Sequence, residues 1–327
     1  ESELVDGKCE FHPNKELQHI AEENYFFALS KYQKFLEEHI KKHPEFVWPD
    51  SKRNEILSFI KTGLKDFSVS RQNLSWGIPV PDDPSHTIYV WFDALINYLT
   101  YGDKENCWPA DIHVLGKDNQ RFHAIYWPAM LKSAGYELPK TILVHDFISL
   151  NGQKVSKSLG NVILPTELIE KFGVYGVRYY FLKHGPLTND VDITLKKITE
   201  VYNSDLANGL GNLAARVARL CEIYGLRVPG DKDFKFHHEV SGYLDAYRFD
   251  LALKSIFERA VGQDERINKH ELWKETAKKR KYLLDTVKEL RQIAFDLKPF
   301  LPETAEKIEK QFSGPKIKSG APLFPRL

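Results

Sequence analysis

The chain has 327 residues, which is enough for about two domains that each bury a hydrophobic core. Hydrophobic residues make up 42% and charged residues 28%, and no run approaches the ~20 apolar residues of a membrane-spanning helix, so we expect no membrane partner. The net charge of +1 excludes a globally basic surface, so a nucleic-acid partner must be bound by a local patch.

The three cysteines, Cys9, Cys107 and Cys221, are far apart in the chain. An odd number of separated cysteines argues against a disulfide framework and predicts a reducing compartment, which we take to be the cytoplasm. The first residue is Glu1 and the only methionine is Met130, so we expect translation to begin upstream of this sequence.

The first half of the chain predicts a helix-rich segment followed by a sheet. Helical patterns dominate residues 23–65, and turn-forming residues at 78–84 follow them. Three apolar runs then predict strands at 87–92, 112–115 and 141–144, with helices between them at about 93–101 and 120–134. This alternation predicts a parallel sheet covered by helices.

Ligands of parallel sheets bind beyond the carboxyl ends of the strands. In this sequence those ends carry Asp93, then Gly116 with Asp118, and then His145. We therefore expect these residues to lie near a bound ligand.

The second half of the chain predicts helices alone from about residue 200. Apolar residues recur at steps of three and four, as in Leu206, Leu210, Leu213, Val217, Leu220 and Tyr224. Two further stripes of the same kind follow, and Pro299 and Pro302 end the last of them. The pattern predicts an antiparallel helix bundle.

A loop with two lysines carries the sharpest chemical signal. Lys154 and Lys157 are three apart, with Ser156 between them, in a segment bounded by Gly152 and Gly160. Glycines let a loop change shape, and lysines can meet a polyphosphate as movable point charges. A bare pair of lysines at this spacing is more often a solvated basic turn.

The longer run around these lysines resembles the KMSKS signature of class I aminoacyl-tRNA synthetases, with Val155 in place of the usual methionine. That resemblance implies that the loop closes over the ATP triphosphate and stabilises charge on the departing pyrophosphate. It assigns catalytic roles to Lys157, Lys154 and Ser156, and Arg71 resembles the arginine of the family's active-site charge network. Stabilisation of transition-state charge is a large catalytic contribution.

A second motif follows the strand at 112–115. Gly116 allows close approach of a ligand, and the Asp118 carboxylate can accept hydrogen bonds from ribose hydroxyls. With Arg121, Phe122 and His123 downstream, the segment resembles the ATP-ribose segment of the same synthetases. We expect Gly116, Asp118 and His145 to bind ATP, which the resemblance implies is used with Mg²⁺.

Residues 89–98 resemble the substrate pocket of methionyl-tRNA synthetases. The resemblance places five pocket residues at Trp91, Ala94, Leu95, Tyr98 and His123, and a sixth at Asn119, where many members have isoleucine. A thioether favours polarizable aromatic walls and at most a weak hydrogen-bond donor. The alternative is that these aromatic residues are ordinary core.

Cys9 and His12 have the spacing of half a zinc site. The family often carries such a zinc knuckle in its connective insertion, and the other two ligands would lie upstream of Glu1. Zn²⁺ is therefore a candidate second metal.

In the helical part, residues 208–216 resemble the family's anticodon-binding helix. Asn212 and Arg216 are four apart and share one helix face, and Trp273 matches the base-stacking tryptophan, with Leu272 where the family usually has proline. The alternative is a solvated helix edge and a core tryptophan.

The resemblance implies an α/β protein: the C-terminal half of a Rossmann-type parallel-sheet catalytic domain, followed by an all-α anticodon-binding helix bundle. We expect residues 1–140 to be the catalytic part, residues 141–200 the connecting segment around the lysine loop, and residues 201–327 the anticodon-binding domain. The implied reaction is activation of methionine by ATP and its ligation to methionine tRNA, with no DNA partner.

The family's first ATP-binding signature, H-x-G-H, does not occur in this sequence. We therefore expect this chain alone to lack full activity. Two other assignments remain open: a leucyl, valyl or cysteinyl synthetase, and a non-catalytic tRNA-binding fragment.

Overall fold

The computed structural model describes the backbone of residues 4–5 and 8–9, and residues 21–72, 74, 76–155, 162–230, 233–274 and 276–327. These residues form two compact units, Glu1–His145 and Asp146–Leu327. No helix in these ranges is both long enough and apolar enough to cross a membrane.

The first unit contains ten strands and five α-helices among the described residues. In chain order they are β1 Leu4–Val5, β2 Lys8–Cys9, β3 Phe26–Phe27, α1 Gln33–Lys42, β4 Val47–Trp48, α2 Asp50–Lys61, β5 Phe67–Ser68, β6 Ser70–Gln72, β7 Pro79–Val80, β8 Asp83–Ile88, α3 Val90–Ala94, α4 Asn97–Gly102, β9 Ile112–Gly116, α5 Trp127–Ala134 and β10 Thr141–His145. A short π-helix, Phe122–Tyr126, precedes α5.

A three-stranded parallel sheet in the order β4–β10–β9 lies at the centre of this unit. Its apolar side chains and those of α1 and α2 form one hydrophobic core, which includes Leu36, Ile60, Val47, Ile142 and Val144. The predicted parallel sheet and its strands at 112–115 and 141–144 are confirmed.

The predicted strand at 87–92 is wrong in both extent and partner. The strand is β8, Asp83–Ile88, which lies in a separate antiparallel sheet with β6 and β7, and a helix begins at Val90. The third parallel strand is β4, inside the segment predicted to be helical. β4 has only two residues and Pro49 follows it, so it is too short to show an alternating pattern.

The second unit begins with a small sheet and continues as helices. Its elements are β11 Ile148–Leu150, β12 Gln153–Lys154, α6 Pro165–His184, β13 Val191–Ile193, α7 Leu195–Val201, a π-helix Tyr202–Gly211, α8 Asn212–Ile223, α9 His238–Asp245, α10 Phe249–Lys269, α11 Ala277–Asp296 and α12 Pro302–Phe312. The predicted helix bundle is confirmed, and the predicted stripe from Leu206 to Tyr224 is buried in its core.

Gly211 closes the π-helix at a crowded position. A Cβ added there would lie 2.9 Å from the carbonyl oxygen of Leu206 and 3.1 Å from the ring of Phe324. At Gly262, in α10, an added Cβ would have no neighbouring atom within 4 Å. The two glycines therefore form a matched pair for a stability test.

We expect Gly211→Ala to lower the free energy of unfolding by about 1–3 kcal/mol, because backbone and ring must shift to admit the methyl group. Gly262→Ala should be neutral or stabilising by up to about 1 kcal/mol, since alanine favours a helix over glycine. Urea unfolding followed by circular dichroism measures both. Equal losses in the two variants would contradict the crowding at Gly211.

Candidate active site and nucleic-acid interface

Three of the predicted ATP-binding residues, Gly116, Asp118 and His145, lie at the carboxyl ends of two adjacent strands. In the parallel pairing of β9 with β10, Gly116 lies opposite His145. A Cβ on Gly116 would lie 3.0 Å from the Asp118 carboxylate and 3.6 Å from the His145 ring. Because glycine has no side chain, there is space between the Asp118 carboxylate and the His145 ring, and a ligand can approach the Gly116 backbone there.

Tyr98 and His123 form a hydrogen-bonded pair. The Tyr98 hydroxyl is 2.9 Å from His123 Nε2, and His123 Nδ1 is 3.0 Å from the backbone oxygen of Asn119. A carbonyl oxygen can only accept, so Nδ1 carries the proton and donates it to Asn119. Burial lowers the pKa of His123, which keeps the ring neutral. Nε2 is then an acceptor, and the Tyr98 hydroxyl donates to it.

His113, which the sequence argument missed, packs against this pair. Its ring centroid is 4.4 Å from that of Tyr98, and the residue is 6% exposed. Burial, and to a smaller extent the neighbouring His123, lower the pKa of His113 to about 4. Its Nε2 has no hydrogen-bond partner among the described residues. His113 and Leu115 are the buried residues of β9, whereas Ile112 and Val114 are exposed. The spacing of two residues between His113 and Leu115 was the one sequence signal for an inward histidine.

The other predicted pocket residues divide between an aromatic wall and a buried cluster. Trp91 stacks on Phe122 at 4.7 Å between ring centroids. Leu95 is buried against Trp127, and Tyr98 packs on the same cluster. A cavity of about 250 Å³ is lined by Phe67, Ser68, Arg71, Tyr89, Trp91, Leu95, Phe122, Tyr126 and Met130.

Of the predicted methionine-binding residues, Trp91 and Leu95 line this cavity. Ala94 ends α3 in a half-buried position, and Asn119 takes part through its backbone oxygen. The structure therefore brings part of the predicted pocket together around an aromatic cavity, with the Tyr98–His123 pair packed on the adjoining cluster.

Arg71 supplies the positive charge at this cavity. Its Nη1 donates to Ser68 Oγ at 2.7 Å and to the Ser70 backbone oxygen at 2.8 Å, and its guanidinium lies 4.3 Å from the centroid of the Tyr89 ring. It forms no ion pair with a carboxylate among the described residues. The guanidinium is therefore held in place by neutral groups, and its charge remains available to an anionic ligand.

Several predicted site residues lie outside the described residues. These are Ser156, Lys157 and His12, together with the side chains of Lys154 and Cys9. Within the described ranges, no group of three or more histidine, cysteine or acidic residues could hold a metal ion. The zinc site thus stays a prediction that rests on the Cys9–His12 spacing.

The predicted nucleic-acid-binding residues lie in the second unit. Arg216 forms an ion pair with Asp264 and donates to Asn268 Oδ1 at 2.7 Å, so two α10 side chains orient it. Trp273 is 52% exposed, which excludes a core role. Arg216 and Trp273 line one cavity of about 330 Å³ with Ala215, Arg219, Leu220 and Ile267. Asn212 is exposed at the start of α8.

Comparison with known proteins decides the family. The family profile described as "tRNA synthetases class I (M)" matches residues 1–218. A methionine–tRNA ligase of Nostoc sp. (strain PCC 7120) is 40% identical over 342 residues, covering 95% of this chain and 64% of that protein. The chain belongs to the class I methionyl-tRNA synthetase family.

Other family members agree with this assignment. A chloroplastic/mitochondrial methionine–tRNA ligase of Arabidopsis thaliana is 48% identical over 233 residues, which is 67% of this chain and 38% of that protein. The structure of Mycobacterium tuberculosis methionyl-tRNA synthetase in complex with methionyl-adenylate superposes with a TM-score of 0.84 at 36% identity. That match covers 93% of this chain and 69% of the other.

The chain spans about two thirds of the length of the curated relatives it matches, 64% in both the Nostoc and the Synechocystis proteins. Family membership is thus established for the chain, and the α/β class I fold with it. The open assignment to a leucyl, valyl or cysteinyl synthetase is excluded.

The hydrogen-bond chain from Tyr98 through His123 can be tested without any activity assay. We expect Tyr98→Phe and His123→Ala to be non-additive in the free energy of unfolding, with a coupling of about 1 kcal/mol, because either change removes the same hydrogen bond. A double-mutant cycle by chemical denaturation measures the coupling.

The control cycle pairs Tyr98→Phe with His86→Ala, since His86 is bonded to Asp83 and to the backbone of Glu23. That cycle should be additive within about 0.5 kcal/mol. A Tyr98–His123 coupling no larger than the control would refute the hydrogen bond.

Proposed function

We propose that the protein containing this chain activates methionine with ATP and ligates it to methionine tRNA. A methionine carboxylate oxygen attacks the α-phosphorus of ATP, and the bond to the departing pyrophosphate breaks. A ribose hydroxyl at the tRNA 3′ end then takes the aminoacyl group, and AMP leaves. The observation that carries the proposal is the aromatic cavity beside Arg71, in a unit whose strand ends bring Gly116, Asp118 and His145 together.

Each group has a role that its chemistry supports. The Asp118 carboxylate accepts hydrogen bonds from the ribose hydroxyls, and Gly116 lets the nucleotide approach the backbone. The Arg71 guanidinium offsets negative charge on the carboxylate of methionine or on a phosphate of ATP. ATP enters as its Mg²⁺ complex. Lys154, Ser156 and Lys157 meet the phosphates through the lysine loop, which lies mostly outside the described residues.

The stacked rings of Trp91 and Phe122 give the amino-acid side chain a polarizable wall, which suits a thioether. The Tyr98 hydroxyl donates to His123, so one hydrogen bond holds these two side chains together next to the cavity. We therefore assign methionine selectivity to shape and polarizability together, with Tyr98 and His123 holding the cluster on which Leu95 packs.

The compartment remains a prediction. The free thiols of Cys107 and Cys221 fit the reducing cytoplasm that the cysteine pattern predicts.

Lys157→Ala tests the catalytic assignment in the full-length protein. We expect the rate of adenylate formation to fall by at least about a hundredfold with methionine KM little changed, because the lysine charge is needed mainly in the transition state. Pre-steady-state adenylate formation measures the rate. Lys196→Ala, an exposed lysine of α7, is the control and should retain the full rate.

A raised methionine KM with an unchanged rate would refute this role for Lys157. Absence of methionine-dependent ATP–pyrophosphate exchange in the unmodified full-length protein would refute the proposed activity itself. In that case, retained tRNA binding would identify a non-catalytic tRNA-binding protein.

Trp273→Ala tests the anticodon assignment of Asn212, Arg216 and Trp273. Loss of the stacking face should weaken tRNA binding by roughly 1–3 kcal/mol and lower aminoacylation, while methionine activation stays nearly intact. Aminoacylation and pyrophosphate exchange are measured on the same preparation. Phe236→Ala, another exposed aromatic residue of the second unit, should change neither. Equal loss of both activities in Trp273→Ala would contradict the assignment.

A further inference from the structure

Four consecutive cationic residues, Lys278 to Lys281, lie in the first turns of α11. The inner two are used by the fold. Lys279 Nζ donates to the backbone oxygen of Glu271 at 3.2 Å, and Arg280 Nη2 donates to that of Tyr224 at 2.9 Å. These bonds attach the start of α11 to the turn that carries Trp273 and to the end of α8. The start of α11 therefore has a fixed place beside Trp273.

The outer two lysines have no such structural task. Lys278 and Lys281 are exposed, and neither forms an ion pair with a described residue. They are three apart in a helix, so they share one side of α11. Lys278 Nζ lies 5.9 Å from the centroid of the Tyr282 ring, and that ring contacts the tilted ring of His270 at 4.4 Å between centroids. Lys278 therefore lies next to the turn before Trp273.

Arg219 provides a further cation at the Trp273 cavity. Its side chain is 66% exposed, lines that cavity and reaches Glu222 at 3.4 Å. Glu222 also accepts a hydrogen bond from Ser319 at 2.6 Å, so it is shared between two donors.

Three described carboxylates of the second unit are engaged with other cationic residues. Glu271 pairs with Lys274 at 2.7 Å, and Asp264 pairs with Arg216. Asp285 pairs with Arg266 at 3.1 Å. The charges of Lys278 and Lys281 are thus not cancelled by these carboxylates, although the whole chain has a net charge of only +1.

We propose that Arg219, Lys278 and Lys281 form a phosphate-binding surface for the backbone of the RNA loop whose base stacks on Trp273. An exposed ring on which one base can stack, with Arg219 in the same cavity wall and two α11 lysines that form no ion pair with a described residue, suits single-stranded RNA. This inference rests on the proposed function, and it adds contacts that carry no sequence information.

The test is the salt dependence of tRNA binding by the full-length protein. We expect Lys278→Gln/Lys281→Gln to lower the slope of log K against log [salt] by about 1.4–1.8, because each lost phosphate contact contributes roughly 0.7–0.9. Arg219→Gln should lower it by about half as much. Both variants should weaken the binding of methionine tRNA and of a tRNA with a changed anticodon by the same factor, since phosphate contacts do not depend on the base sequence.

Two comparisons make the result decisive. Lys307→Gln/Lys310→Gln removes two exposed lysines at the same spacing on α12 and should leave the slope unchanged. Trp273→Ala should leave the slope unchanged and reduce discrimination between the two tRNAs. An unchanged slope in the Lys278/Lys281 variant, or an equal drop in the α12 control, overturns the phosphate-binding surface while the proposed function stands. If the unmodified full-length protein does not activate methionine or does not bind tRNA, the proposed function itself is refuted.

Discussion

The candidate ATP site depends on the parallel pairing of β9 with β10. Five consecutive residue pairs, from Ile112 with Thr141 to Gly116 with His145, keep the two strands in register. Their carboxyl ends are therefore level, and Asp118 and His145 flank the position that Gly116 leaves open. A shift of one residue would turn the inward side chains outward and separate these groups, so the geometry of the site follows from the register.

Two buried, neutral histidines are a second feature of the first unit. His113 and His123 are buried among aromatic rings, where a charged imidazole would lose its hydration, and burial lowers the pKa of both. The Asn119 backbone oxygen selects the tautomer of His123, and that tautomer sets the direction of the Tyr98 hydrogen bond. The charge at the neighbouring cavity comes instead from Arg71, which is held by uncharged partners.

In the second unit, cationic side chains divide into those that build the fold and those that remain available. Lys279 and Arg280 are used to attach α11, while Asp264 and Asn268 orient Arg216 at the Trp273 cavity. Bonds to backbone oxygens and carboxylates restrict these side chains to one position. Cationic residues that face solvent without such bonds can still bind an anionic partner. The contacts of each lysine therefore indicate its role better than the number of lysines does.

The sequence by itself determined the family, the parallel strands at 112–115 and 141–144, the helix bundle and the positions of Gly116, Asp118 and His145 after the strands. These features follow from local patterns, because the periodicity of a strand or helix and a short motif each involve residues close together in the chain. Only the tertiary structure decided that β8 joins an antiparallel sheet, that Val47–Trp48 is the third parallel strand, that His113 packs on Tyr98 and that Arg219 lines the Trp273 cavity. Each of these depends on residues distant in the chain, and the contact between them exists only once both elements are packed.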